Sequence, residues 1–180
     1  MKNKSILSLM LSLPLFYGCA SNSISEPTGQ GAIAFGTQVI NNFDTHPCAR
    51  VEIVMWEMVS GGEYSQSPVE LSFYPKSDQD YVLFDDIKPG FYQIRSMKYH
   101  ARTNETLNGK RFLEFPYSFT ETIEPNLVTL STYSYHGENT ELFRFKAELT
   151  YGLLALDREK IEADIQSQPN FAGWSFRERH

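Results

Sequence analysis

Hydrophobic and polar positions alternate along much of this chain with a period of two, the spacing that puts successive side chains on opposite faces of a strand. The clearest case is Leu142 to Thr150, where Phe143, Phe145, Ala147 and Leu149 alternate with Arg144, Lys146, Glu148 and Thr150. Gly31 to Ile40 reads as a first strand with Ile33 and Phe35 on one face. Arg50 to Met58 is rich in strand formers, and Leu127 to Tyr135 is a further run of β-branched and aromatic residues. Gly61-Gly62, Lys76 to Asp78, Asn108-Gly109 and His136-Gly137 punctuate these runs as turns or loops. Many short strands with regular breaks predict an all-β fold, an antiparallel β-sandwich. One helix is expected. Asp157 can cap it, Ile161 and Ile165 stand one turn apart within Arg158 to Gln168, and Pro169 stops it. The apolar ending Phe171 to Phe176 should pack back onto the body.

The segment from Phe84 to Ile94 has the most specific local chemistry. Pro89 fixes its own φ, and Gly90 tolerates positive φ, which together suit the two central positions of a type II turn. The expectation is a structural turn at Pro89 and Gly90 with positive φ at Gly90. The runs Tyr81 to Phe84 and Phe91 to Tyr99 would then pair antiparallel, with Ile87, Tyr92 and Ile94 in the core. Here the chain resembles the transthyretin-like, carboxypeptidase-regulatory-like β-sandwich modules, in which a phenylalanine and an apolar residue precede Pro-Gly and Tyr-x-aliphatic. It is also similar to small bacterial lipoproteins of the DUF2846 kind, which share a signal cysteine, the Pro-Gly segment and an acidic C-terminal helix. The likeness covers 31–170 in layout and 84–94 in residues. It implies the transthyretin/Ig-like sandwich and no catalytic residues.

The N-terminus reads as an address. Lys2 and Lys4 precede an apolar run from Ile6 to Tyr17, 12 residues interrupted by Ser8, Ser12 and Pro14. A spanning helix needs about 20 apolar residues, so the run fits the core of a secretory signal. It ends Leu15-Phe16-Tyr17-Gly18-Cys19, which resembles the bacterial lipobox in Gly18 and Cys19. Phe16 stands where that pattern has leucine, and Tyr17 is bulkier than usual, which bears on the efficiency of cleavage. The resemblance implies cutting before Cys19 and lipidation of Cys19. A plain signal peptide with a coincidental cysteine is the alternative. Ala20 is not the aspartate that retains lipoproteins in the inner membrane, so the outer membrane is expected. The chain divides into a signal peptide (1–18), a lipidated tether (19–30), a β-sandwich domain (31–156), and a C-terminal helix and tail packed on it (157–180).

Charge and cysteine content narrow the function. Acidic residues number 22 against 16 basic ones, and loss of Lys2 and Lys4 with the signal takes the formal charge from −6 to −8. Nucleic-acid binding, which depends on neutralising phosphates, is not expected. With Cys19 lipidated, Cys48 is left alone, so the fold must rest on its core rather than on a disulfide. Cys48 reads first as a small buried hydrophobe.

Catalytic and cofactor chemistry is sparse. His46 and Cys48 could hold half a metal site, but His100, His136 and His180 have no ligand spacing, and a zinc site needs three or four convergent ligands. Asp78, Asp80, Asp85 and Asp86 do not match a calcium loop; Asp85-Asp86 reads as a solvated turn face. No cofactor is expected. The leading function is a non-enzymatic binding or accessory module on the envelope, with a membrane contact through lipid and a protein partner. The alternatives are a hydrolase built around His46, Cys48 and His136, or a glycan-binding module with exposed rings such as Tyr133 and Tyr135.

Overall fold

The computed structural model describes residues 17–19, 23–41, 48–102, 106–107, 109–139, 146–147 and 157–178. Ten strands carry the fold: β1 (Tyr17–Cys19), β2 (Gly31–Asn41), β3 (Cys48–Glu57), β4 (Val69–Phe73), β5 (Tyr81–Ile87), β6 (Gly90–Ala101), β7 (Phe112–Ile123), β8 (Leu127–Asn139), β9 (Lys146–Ala147) and β10 (Ser175–Phe176). They form two sheets. Sheet A has the order β1-β4-β3-β6-β7, and sheet B the order β10-β8-β2-β5, with β9 also on β8. The all-β sandwich and its single α-helix near the C-terminus agree with the sequence pattern. Most pairings are antiparallel, but β2 runs parallel to β8, the longest contact of sheet B.

The two sheets are covered differently, and the side chains show why. Ile33, Phe35, Val82 and Phe84 point into the core between the sheets, where they meet Val51, Ile53, Tyr92, Ile94 and Tyr99 of sheet A. The alternate residues of sheet B, Ala32, Ala34, Leu83, Val128 and Leu130, are also buried, on its outer face. A strand buried on both faces reads as a nearly continuous apolar run, and Gly31 to Phe35 is such a run. What covers that outer face is α1 (Arg158–Gln166), through Ile161 and Ile165, together with Trp174 and Ile24. Asp157 caps the helix, its carboxylate accepting from the Lys160 backbone N–H. The small Ala32 and Ala34 let these residues approach closely. Among the described residues, the outer face of sheet A has no such cover.

Ser23 to Gln30, a tether by composition, belongs to the folded body. Ile24 is buried, and its N–H donates to Gln168 Oε1. The Ser25 N–H donates to Asp85 Oδ2 at 2.6 Å, and the Ser25 carbonyl accepts from Trp174 Nε1 at 2.9 Å. The Gly29 N–H donates to Asn126 Oδ1 at 2.9 Å. Polar composition concealed a segment held by one buried isoleucine and several hydrogen bonds.

The Pro89-Gly90 expectation needs correction. β5 pairs with β2 in sheet B, while β6 pairs with β3 and β7 in sheet A, so Pro89-Gly90 crosses between the sheets and closes no hairpin. Gly90 does not have positive φ; the left-handed residue of this corner is Asp86, at φ 59°. Gly90 is instead set by close approach, since an added Cβ would lie 3.3 Å from both Glu57 Oε1 and Tyr92 Cε2. Tyr92 holds the corner, its hydroxyl donating to the Lys88 carbonyl at 2.8 Å, and Lys88 Nζ reaches both Glu57 oxygens at 2.8 and 2.9 Å. Ile87, Tyr92 and Ile94 are core residues, as expected.

Burial first, and the Glu57 charge second, push the Tyr92 hydroxyl up to about 12. A raised folded pKa means that the folded chain holds the phenolic proton more tightly than the unfolded one. The associated stability is complete below the ordinary tyrosine value of 10.0 and is lost as pH rises through about 12. Tyr92→Phe is therefore expected to cost about 1 kcal/mol at neutral pH, through the lost hydrogen bond. Urea melts carried up to alkaline pH should show a shallower loss of stability in the variant than in the wild type. Identical slopes would remove Tyr92 as the titrating group.

Other expectations fall out by position. Gly61 and Gly62 form a short turn with φ 84° and 80° between β3 and β4. His136-Gly137 is not a turn but lies inside β8, paired with Gln38 and Val39 of β2. Of Leu142 to Thr150 only Lys146–Ala147 is within the described residues, as β9. β4 and β7 were not evident in the sequence; β7 carries Pro116 and many exposed polar residues, which is tolerable in a sheet-edge strand.

Candidate binding surface

Because α1 and the tail close sheet B, the outer face of sheet A is the face that the described residues leave open. Alternation in β3 and β6 sends Glu52, Trp56, Gln93, Arg95, Lys98 and His100 to it. A shallow groove of about 550 Å³ runs across this face, with Trp56, Pro68, Glu70, Arg95, Lys98 and Glu114 among its walls.

At one end the groove is organised around Arg95. Its guanidinium carbon lies 4.0 Å from the centroid of the Tyr64 ring and 6.0 Å from that of Trp56. Arg95 Nε donates to Gln93 Oε1 at 3.0 Å. The same Gln93 oxygen accepts from the Tyr64 hydroxyl, and Gln93 Nε2 donates to Ser118 Oγ at 3.0 Å. Tyr64 reaches this position because the Gly61-Gly62 turn folds the chain back, pairing Met58 with Tyr64. The arginine is exposed, yet its orientation is set by two rings and one amide. Such a fork loses little freedom when it binds a carboxylate, an amide or a pair of hydroxyls.

Beside Lys98, on the same face, sits a carboxylate with cations around it. Glu52 is only 9% exposed. It lies 3.3 Å from Arg50 Nη2, 3.2 Å from Lys98 Nζ and 3.4 Å from His100 Nε2. Burial, and then the charge of Arg50, hold the His100 pKa below its ordinary value, against the pull of Glu52. His100 is therefore neutral at neutral pH, and Arg50 and Lys98 balance the carboxylate.

The residues singled out from sequence do not converge. Cys19 pairs with Ser72 at the β4 edge of sheet A. Cys48 lies in β3 opposite Ala101 of β6, and His46 is outside the described residues. His100 is on the face of sheet A, whereas His136 is on sheet B, its Nδ1 2.9 Å from Gln38 Oε1. Tyr135 is buried against Phe73 and Tyr99, and Tyr133 stacks on Phe119 at 3.7 Å. Tyr135 is thus closed to a ligand, and Tyr133 is partly buried against the core. Asp80 pairs with Lys160, and Asp85 accepts from Ser25. Among the described residues, no group of three or more His, Cys, Asp or Glu is placed to hold a metal ion, and no helix is long and apolar enough to cross a membrane.

The Trp56–Tyr64–Arg95 cluster was missed in the sequence. Alternation along β3 already put Arg50, Glu52 and Trp56 on one face. What it could not show was that Arg95, 39 positions beyond Trp56, would lie beside it. Comparison with protein-family models, with curated proteins and with solved structures returned no match to this chain.

Proposed function

We propose that this chain is a lipoprotein of the bacterial envelope, cut before Cys19, anchored by lipid on that cysteine in the outer membrane, and acting as a non-enzymatic binding or accessory module. The observation that carries the binding part is Arg95, oriented by Gln93, Tyr64 and Trp56 on the open face of the sandwich. The test is affinity capture of the tagged protein from crosslinked envelopes. Arg95→Ala and Trp56→Ala should both lose a captured species that Glu159→Ala, on α1 over sheet B, retains. Equal capture by all three would remove this face as the binding surface.

A glycan is the second reading of the same groove. Its charged walls, Arg95 and Lys98 with Glu70 and Glu114, carry both signs. That mixture suits neutral hydroxyl pairs, which donate and accept at once, and Trp56 adds an apolar face for a sugar ring. The chain has two tryptophans, and Trp174 is buried. Titration with chitotetraose should change the emission of Trp56, and the response should vanish in Trp56→Phe. A flat titration would leave the protein-partner reading alone.

A further inference from the structure

We infer that one pole of the sandwich lies against the bilayer that carries Cys19, as a lipid-contacting surface. This rests on lipidation of Cys19. Ile24 is pinned by its burial and by Gln168, so only residues 20–23 separate the anchor from the folded body. Five extended residue steps span at most about 17 Å, so the domain cannot reach far from its membrane.

Register identifies which pole is held there. In the uncut chain, with Tyr17 and Gly18 still in β1, Cys19 stands beside Ser72 at the β4 edge. The next row across sheet A is Phe73, Val51, Tyr99 and Leu113. Phe73 and Tyr99 pack on Tyr135 of sheet B, which pairs with Thr37. Gln168, which holds Ile24, also donates to the hydroxyl of Tyr81, at the level of Gly36. Anchor and leash therefore leave the molecule at the pole formed by the ends of β2, β4 and β6 and the starts of β3, β5 and β7.

Large exposed apolar residues occupy the same pole. Tyr74 is 68% exposed just after β4, Phe112 is 48% exposed at the start of β7, and Ile40 is 38% exposed near the end of β2. Lys76, Lys110 and Arg111 flank them, all exposed. Aromatic rings with basic neighbours suit a headgroup layer, where the rings meet the acyl boundary and the cations meet phosphates. The opposite pole also exposes Val59 and Phe91, but there the five carboxylates of Glu57, Glu63, Asp85, Asp86 and Glu124 outnumber Lys88 and Arg177, a balance that an anionic surface repels. Charge thus selects the same pole that the leash does. The Arg95 end of the groove lies near the opposite pole, since Glu57 pairs with Tyr92 and Trp56 with Gln93 there.

The test places the photoreactive residue p-benzoylphenylalanine at Tyr74, Phe112 or Phe91 of the full chain. Each protein is purified from envelopes into nanodiscs of phosphatidylethanolamine and phosphatidylglycerol, and the mass of its N-terminal peptide is read first. An unmodified Cys19 would sink the anchor, and this surface with it. With Cys19 acylated, positions 74 and 112 should form about tenfold more lipid adduct than position 91, the contrast between a headgroup layer and open water. Equal adducts, or an excess at 91, would overturn the surface while leaving the lipoprotein reading intact. A second variant lengthens the leash with a Gly/Ser segment after Ser21. The excess at 74 and 112 should persist there, and adducts at 74 should fall when Phe112→Ser and Lys110→Glu are added. Loss of the excess on lengthening alone would mean proximity without affinity, and would also overturn it.

Discussion

Trp174→Ala is expected to lower the unfolding free energy by about 3–5 kcal/mol, the range for truncating a large buried aromatic residue. Trp174 is 7% exposed and joins three parts of the chain. Its ring packs with Ile161 and Ile165 of α1 and with Ile24, and its Nε1 donates to the Ser25 carbonyl. Removing it opens a cavity on the outer face of sheet B and releases the N-terminal segment from its hydrogen bond. Equilibrium urea melts should measure the loss. Hydrogen exchange should show the backbone of residues 23–30 opening more than that of β3 or β6. A variant that melts like the wild type would mean that the tail and α1 are not part of the cooperative body. Trp174→Phe separates the two contributions. It keeps most of the packing, so it should cost less while still loosening Ser25.

Cys19→Ser is expected to move the protein from the membrane fraction to the soluble one, or to leave it as uncut precursor. The hydroxyl cannot carry the thioether, and without it the chain has no acyl groups to bury, each methylene of which is worth about 0.8 kcal/mol. Among the described residues no helix is long and apolar enough to cross a bilayer. Fractionation with mass spectrometry of the N-terminal peptide is the measurement. Membrane retention of a processed Cys19→Ser protein would remove the lipid as the anchor. The domain should fold equally well in the variant, because β1 pairs with β4 through its backbone, which serine keeps.

How much was legible in the sequence varied with the range of the physics involved. Runs of strand formers located β2, β3 and β8, because β-branched and aromatic side chains suit an extended backbone within their own strand. The clearest alternation, Leu142 to Thr150, lies outside the described residues except for Lys146–Ala147. The helix was legible from cap to stop, since Asp157, Ile161, Ile165 and Pro169 act within a few residues of each other. Partnership was not legible. Pro89-Gly90 is compatible with a hairpin and with a crossing between sheets, and the choice depends on which strands β5 and β6 find. β2 claims β5, and β3 and β7 claim β6, so the tight turn has no pair of strands to join. The tether failed for a related reason. One isoleucine among polar residues carries no periodicity, yet it fills the space between α1 and sheet B.

The sequence by itself determined the fold class, the helix and its cap, and the expectation of an address at Cys19, all from interactions local to a strand, a turn or a signal. Only the tertiary structure decided which face of the sandwich the described residues leave open, that Arg95 lies beside Tyr64 and Trp56, and that Ile24, five positions past the cysteine, belongs to the buried core. Those depend on strand order and on what the C-terminal helix covers, and both are settled by burial of the whole core rather than by any segment alone.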